Sequence, residues 1–174
     1  LNQDPKVSGQ TRDRVLAAVE KLNYRPNVSA RRLASTKSYF LGLLYCNPSA
    51  SYVSKFLLGA LKRCRASGYH LVVDEAEGDL SQTLASVEDL INITQVDGII
   101  LLPPLCDIPE IIDTLKAADI PYVRISPDSQ LNSSTYICMD DYQAAFDVTE
   151  SLIKQGHQKI GHIIGQANQG SSRL

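Results

Sequence analysis

From residue 40 onward, short apolar runs of about 4–6 residues alternate with amphipathic stretches of about 11–15, and this rhythm leaves few folds open. Strands are expected at 40–45, 70–73, 99–102, 121–125, 136–139 and 159–164. Helices are expected at 52–66, 80–93, 108–118 and 141–155. The helical pattern shows in Val53, Phe56, Leu57, Ala60, Leu61 and Cys64, and again in Leu84, Val87, Leu90 and Ile91. Gly68 and Gly156 follow the ends of two of these helices. Strand, helix and strand in succession imply right-handed βαβ units around a parallel sheet, an α/β fold.

Ligands of such sheets bind beyond the carboxyl ends of the strands. Those ends are the loops at 46–52, 74–79, 103–107, 126–128 and 165–173. They hold polar groups able to grip a hydroxylated ligand: Asn47, Ser49, Ser51, Tyr52, Asp74, Glu75, Ser126, Asp128, Asn168, Gln169 and Ser171. Any one of these could equally cap a helix or close a turn.

The residues before this unit read differently. A helix is expected over 8–23, with Ser8 as N-cap and an apolar stripe of Val15, Leu16, Val19 and Leu22. One amphipathic helix cannot bury its stripe alone, so packing partners upstream of Leu1 are expected. Next comes Tyr24-Arg25-Pro26-Asn27-Val28-Ser29-Ala30-Arg31-Arg32-Leu33-Ala34-Ser35, with three arginines and no acid. Pro26 disfavours helix at Arg25 and stops the preceding helix nearby. Asn27 can cap a second helix of about two turns, too short to be stable by itself in water. The stretch reads either as a solvated linker or as a segment that folds against a polyanion.

Charge divides the chain at the same place. Residues 1–38 hold eight basic and three acidic side chains, a net +5, and the remainder holds nine and sixteen, a net −7. A basic arm on an acidic body suits a nucleic-acid binder with a separate sensing domain. The length of 174 residues, 44% hydrophobic, suits one ordinary domain with a small appendage. No apolar run approaches the ~18 residues of a membrane span, and residues 1–14 are too polar for a secretory leader. The four cysteines, Cys46, Cys64, Cys106 and Cys138, form no C-x-x-C pair, so they are expected as free thiols of a reducing compartment. Phosphate-loop, dinucleotide and nucleophile-elbow motifs are absent, and His157 and His162 lack zinc-protease spacing. No enzyme, cofactor or metal is expected.

Particular residues carry a resemblance. Asn2-Gln3-Asp4-Pro5-Lys6-Val7-Ser8-Gly9-Gln10-Thr11-Arg12-Asp13-Arg14-Val15, then Leu22-Asn23-Tyr24-Arg25-Pro26-Asn27 and Ala30-Arg31-Arg32-Leu33, resemble the DNA-binding headpiece end and hinge of the lactose/galactose-repressor family of bacterial transcription regulators. Leu41-Gly42-Leu43, Gly68-Tyr69, Val96-Asp97-Gly98-Ile99-Ile100, Ile120-Pro121, Met139-Asp140-Asp141 and Gly156-His157-Gln158-Lys159-Ile160 recur at that family's spacing. The resemblance covers essentially the whole chain.

It implies a periplasmic-binding-protein-like parallel sheet with flanking helices, preceded by a partial helix-turn-helix headpiece and a hinge helix. The parts would be a headpiece remnant at 1–26, a hinge at 27–37, a first effector lobe at 38–139 and the opening of a second at 140–174. The family's recognition helix lies in the major groove, and Leu1 and Asn2 fall at about its last residue. Asn2, Lys6, Ser8, Thr11 and Tyr24 match positions of the operator-facing headpiece, where hydroxyl and amide donors suit phosphate oxygens. In the hinge, Asn27 and Ala30 match positions that touch DNA. Arg31 and Arg32 would add phosphate attraction. Leu33 matches the leucine that wedges into the minor groove.

For the effector, Ser51, Tyr52, Val53 and Ser126 match first-lobe positions, and Ser171 and Arg173 the second-lobe loop that supplies a gripping arginine, either Arg173 or a neighbour. Val53 stands where an aromatic is commoner, Ser51 where proline is usual and Ser126 where aspartate is frequent. The implied protein is a cytoplasmic, homodimeric, effector-controlled regulator of a pseudo-palindromic operator, a repressor that senses a sugar, with no membrane partner. The alternative is a sugar-binding receptor of the same fold without DNA. In the complete protein, Leu33→Ala is expected to weaken operator binding and leave effector binding intact. Equal operator affinity in a gel-shift titration would sink that role.

Overall fold

The computed structural model describes residues 7–24, 35–46, 49–76, 78–165 and 170. The chain divides into two compact units, Leu1–Lys37 and Ser38–Leu174. In the first, helix α1 spans Gly9–Lys21. Ser8 caps it, its hydroxyl accepting the Thr11 N–H at 3.3 Å. The expected stripe of α1 is open: Leu16 and Leu22 are 47% and 74% exposed.

The second unit runs β1 (Phe40–Tyr45), α2 (Ala50–Ala66), β2 (His70–Glu75), α3 (Leu80–Asn92), β3 (Ile99–Leu101), α4 (Pro109–Ala117), β4 (Tyr122–Ile125), β5 (Tyr136–Ile137) and α5 (Asp141–Lys154). Short 3-10 turns lie at Leu105–Asp107 and Leu131–Ser133. Among the described residues the strands form one sheet in the order β2-β1-β3-β4-β5. Every pairing is parallel, with Gly42 opposite Ile99, Ile99 opposite Tyr122 and Arg124 opposite Tyr136.

The strand pleat sorts β1 between two cores. Leu44 points into the larger, with Val87 and Leu90 of α3 and Ile111 and Leu115 of α4. Leu43 points into the smaller, with Phe56 and Leu57 of α2. Both leucines are fully buried, which is why the central strands read as continuous apolar runs. Gly42 leaves room for close packing, since a Cβ there would meet Ile99 and Leu90 at 3.2 and 3.3 Å.

Three expectations are corrected. The 52–66 helix starts at Ala50, because Ser49 caps it by accepting the Tyr52 N–H. Ser51 and Tyr52 therefore sit in the first helical turn and not in a loop. The 136–139 strand shortens to Tyr136–Ile137, because Asp140 caps α5 through the Gln143 N–H at 2.9 Å. The strand at 159–164 does not form: those residues are exposed and pair with no strand among the described residues. Apolar β-branched residues suit a strand, but only a neighbouring ladder satisfies its backbone, and among the described residues β5 pairs with β4 alone.

Asp97 fastens the start of the sheet. Its carboxylate accepts the N–H groups of Ser38 at 2.7 Å and Tyr39 at 3.0 Å, and its own N–H donates to Phe40 at 2.8 Å. Asp97→Ala leaves two amides short of an acceptor and should cost about 2 kcal/mol. Urea unfolding with an unchanged slope checks this.

Candidate functional site

The carboxyl ends of β1, β3, β4 and β5 place side by side the first turn of α2, the turn at Leu105–Asp107, the segment 126–130 and the β5–α5 junction. The centre of this rim is a charge that sequence reasoning did not single out. Arg124, the third residue of β4, has no exposed surface, and neither does its neighbour in the core, Cys106. Its Nε donates to the Cys106 carbonyl at 2.7 Å. Nη1 donates to the Gln130 carbonyl at 3.0 Å and the Ser133 hydroxyl at 3.3 Å. Nη2 donates to the Ser129 carbonyl and, at 2.8 Å, to Asp107 Oδ1.

Asp107 in turn accepts the N–H of Asp128 at 3.1 Å and, from Ser129, the N–H at 3.0 Å and the hydroxyl at 2.9 Å. A buried guanidinium is tolerable only when its charge and donors are met, and here they are. The signal was present in Pro121-Tyr122-Val123-Arg124-Ile125: a charge inside a strand covered on both faces requires a partner nearby.

Beside this network lies a cavity of about 160 Å³, lined by Ser126, Pro127, Asp128, Leu131, Tyr136, Cys138, Met139, Asp141 and Gly170. Ser126 turns the chain into it with φ +46°, and its N–H donates to Ile137 at 2.7 Å. Gly170 is buried there, and a Cβ at that position would collide with Asp128. Tyr52 is 39% exposed. Its hydroxyl is pushed above the usual tyrosine range by partial burial first, then by Cys106 and Asp141. The Cys106 thiol is pushed up to about 12, by burial first and then by Asp107, and it donates to the Ile125 carbonyl at 3.2 Å.

Of the residues expected to meet an effector, Ser126 lines the cavity, and Tyr52 lies outside that lining but near enough to feel the charge of Asp141, which is part of it. Ser51 is exposed, and Val53 is buried at 6% exposure. Of those expected to meet DNA, Ser8 and Thr11 stand at the start of α1 with their hydroxyls 2.9 Å apart, and Tyr24 is 59% exposed. Asn2, Lys6, Asn27, Ala30, Arg31, Leu33, Ser171 and Arg173 lie outside the described residues. Among the described residues no cluster of side chains could hold a metal ion, and no helix is long and apolar enough to cross a membrane. Hydroxyls, carboxylates and an aromatic ring around a small cavity suit a polar, hydroxylated ligand held by hydrogen bonds.

Two family models match the chain. Residues 1–27 match bacterial regulatory proteins of the lacI family, and residues 38–173 match periplasmic binding proteins and the sugar binding domain of the LacI family. The chain belongs to the LacI family. It is similar to catabolite control protein A of Priestia megaterium, 30% identical over 95% of this chain and 49% of that protein. It is also similar to the regulator AscG of Escherichia coli K12, 29% identical over 99% of this chain and 52% of that one. Among solved structures it resembles the lac repressor dimer bound to operator and an anti-inducer, with 26% identity and a TM-score of 0.71 over 99% of this chain and 52% of that one. The chain thus spans about half the length of these relatives.

The thiols offer a direct check on the rim. At pH 8, iodoacetamide should alkylate exposed Cys46 and Cys138 and leave Cys106 untouched in the folded protein, as peptide mass spectrometry would show. The Cys106 pKa is raised on folding from its ordinary 9.0 to about 12, so its contribution is complete below pH 9 and is lost as pH rises from 9 towards 12. Replacing Cys106 by alanine should flatten that part of the alkaline stability curve.

Proposed function

We propose that the chain is part of an effector-responsive DNA-binding transcription regulator, a repressor that works in the cytoplasm as a homodimer on a pseudo-palindromic operator. The observation that carries this is the union in one chain of a basic helical arm with a parallel sheet whose carboxyl edge forms a polar, ligand-sized rim. The arm supplies phosphate attraction, and the hydroxyls of Ser8 and Thr11 at the start of α1 are placed where helix N-termini hold anions. Asn2, Lys6 and Tyr24 extend that surface, and Asn27, Ala30, Arg31 and Leu33 form the hinge that enters the minor groove.

The rim takes a neutral sugar. Tyr52, Ser126 and Ser171 give hydroxyl contacts, Ser51 borders the entrance, buried Val53 supports it from within α2, and Arg173 grips from the second lobe. The carboxylates of Asp128 and Asp141 accept sugar hydroxyls and oppose anionic ligands. Binding between two lobes shifts the balance between arrangements that allow or forbid paired hinges to fold on DNA. This fits what relatives are named for: one is a ribose operon repressor of Escherichia coli K12, 28% identical.

The test takes the complete gene product, selects operator DNA from genomic fragments and titrates D-ribose, D-glucose and their phosphates against the complex. Sequence-selective binding changed at least about tenfold by a neutral sugar, and not by its phosphate, is the expected result, a coupling of about 1.4 kcal/mol. A protein that binds sugar but no DNA even at low salt would instead be a receptor of the same fold. These 174 residues by themselves are expected to bind DNA weakly and without sequence choice.

A further inference from the structure

Arg124 is a cation with no exposed surface, so it cannot touch a ligand, and charge balance alone would require only one carboxylate beside it. The guanidinium does more than pair. Its bonds to Cys106 and Asp107 hold the loop that follows β3, and those to Ser129, Gln130 and Ser133 hold the loop that follows β4. Asp107 closes the circuit by accepting both backbone N–H groups of Asp128 and Ser129.

The segment so gripped has left-handed residues at both ends, Ser126 at φ +46° and Gln130 at φ +47°. Residues with a Cβ rarely adopt that conformation unless their surroundings impose it. The same segment supplies Ser126, Pro127 and Asp128 to the cavity wall.

We infer that Arg124 and Asp107 are a positioning pair, which joins the β3 and β4 loops into one rim and holds 126–130 in the form a ligand meets. Effector affinity then depends on a residue the effector never contacts. This rests on the rim being the effector site. Preshaping a loop raises affinity because its ordering cost is met before the ligand arrives.

The test compares the complete wild-type protein with Arg124→Lys, Arg124→Met and the double variant Arg124→Met/Asp107→Leu. An apolar pair leaves no uncompensated buried charge, so the double variant removes the pair without the penalty that either single truncation carries. Its melting temperature should fall by a few degrees, because the loop amides lose their acceptor, so exchange and binding are compared well below both midpoints, where each protein is folded. Amide hydrogen exchange at Asp128 and Ser129 should rise at least about tenfold, the worth of a hydrogen bond to a charged group, with β1 unchanged. Arg124→Lys, which keeps the charge and loses the fork, should fall between.

Unchanged exchange at Asp128 and Ser129, or an equal rise in β1, would overturn the inference. Should the double variant fail to fold, Arg124→Lys decides by the same comparison. Titration with D-ribose and D-glucose completes it. Weaker binding by the fully folded double variant supports the pair, and equal binding overturns its effect on affinity. A wild type that binds neither sugar counts against the effector reading alone, because the exchange result still decides whether the pair holds the loop.

Discussion

Parallel pairing around β1 is the constraint on which the second unit depends. A parallel neighbour cannot be reached by a tight turn, so each strand must be followed by a crossover, and helices then cover the sheet. With β2 on one side of β1 and β3 on the other, α2 serves one core and α3 and α4 the other. This reversal of direction at β1 opens a crevice beyond the carboxyl ends of the strands. The polar rim lies on that same carboxyl edge, with its cavity displaced from the switch point to the ends of β4 and β5.

Arg124 belongs to the same logic at a smaller scale. It is carried by β4 into the interior, where an unpaired charge would be prohibitive, and the two loops beyond β3 and β4 turn their polar groups inward to meet it. Two otherwise independent surface loops become one structure with left-handed turns at Ser126 and Gln130. A rim built so has little ordering left to do when a ligand binds, and its shape is set by groups beneath it rather than by the residues at its surface.

Much of the fold was legible because local and global signals agree. Phe40–Tyr45, Leu80–Asn92 and Tyr122–Ile125 each carry apolar periodicity, and α3 has an aspartate cap that also closes a capping box with Gln82. Where these signals disagree, the outcome turned on partners. The run at 159–164 has the composition of a strand and, among the described residues, no ladder to join. The first turn of α2 reads as loop until Ser49 is seen to cap it. Within the site, Ser126 and the carboxyl-edge loops were reachable from strand ends alone. The pairing of Arg124 with Asp107, seventeen residues apart, was not, since nothing local joins them.

The sequence by itself determined the alternation of strands and helices, the parallel sheet, the division between a basic arm and an acidic body, and the family. Each is a property of neighbouring residues or of order along the chain, and so is written in one dimension. Only the tertiary structure decided which strand pairs with which, that Arg124 is buried and satisfied by five groups from two loops, and that Ser126 turns left-handed beside a cavity. Those depend on groups far apart in sequence meeting inside a low-dielectric interior, where an unmet charge or hydrogen bond costs more than local preference can offset.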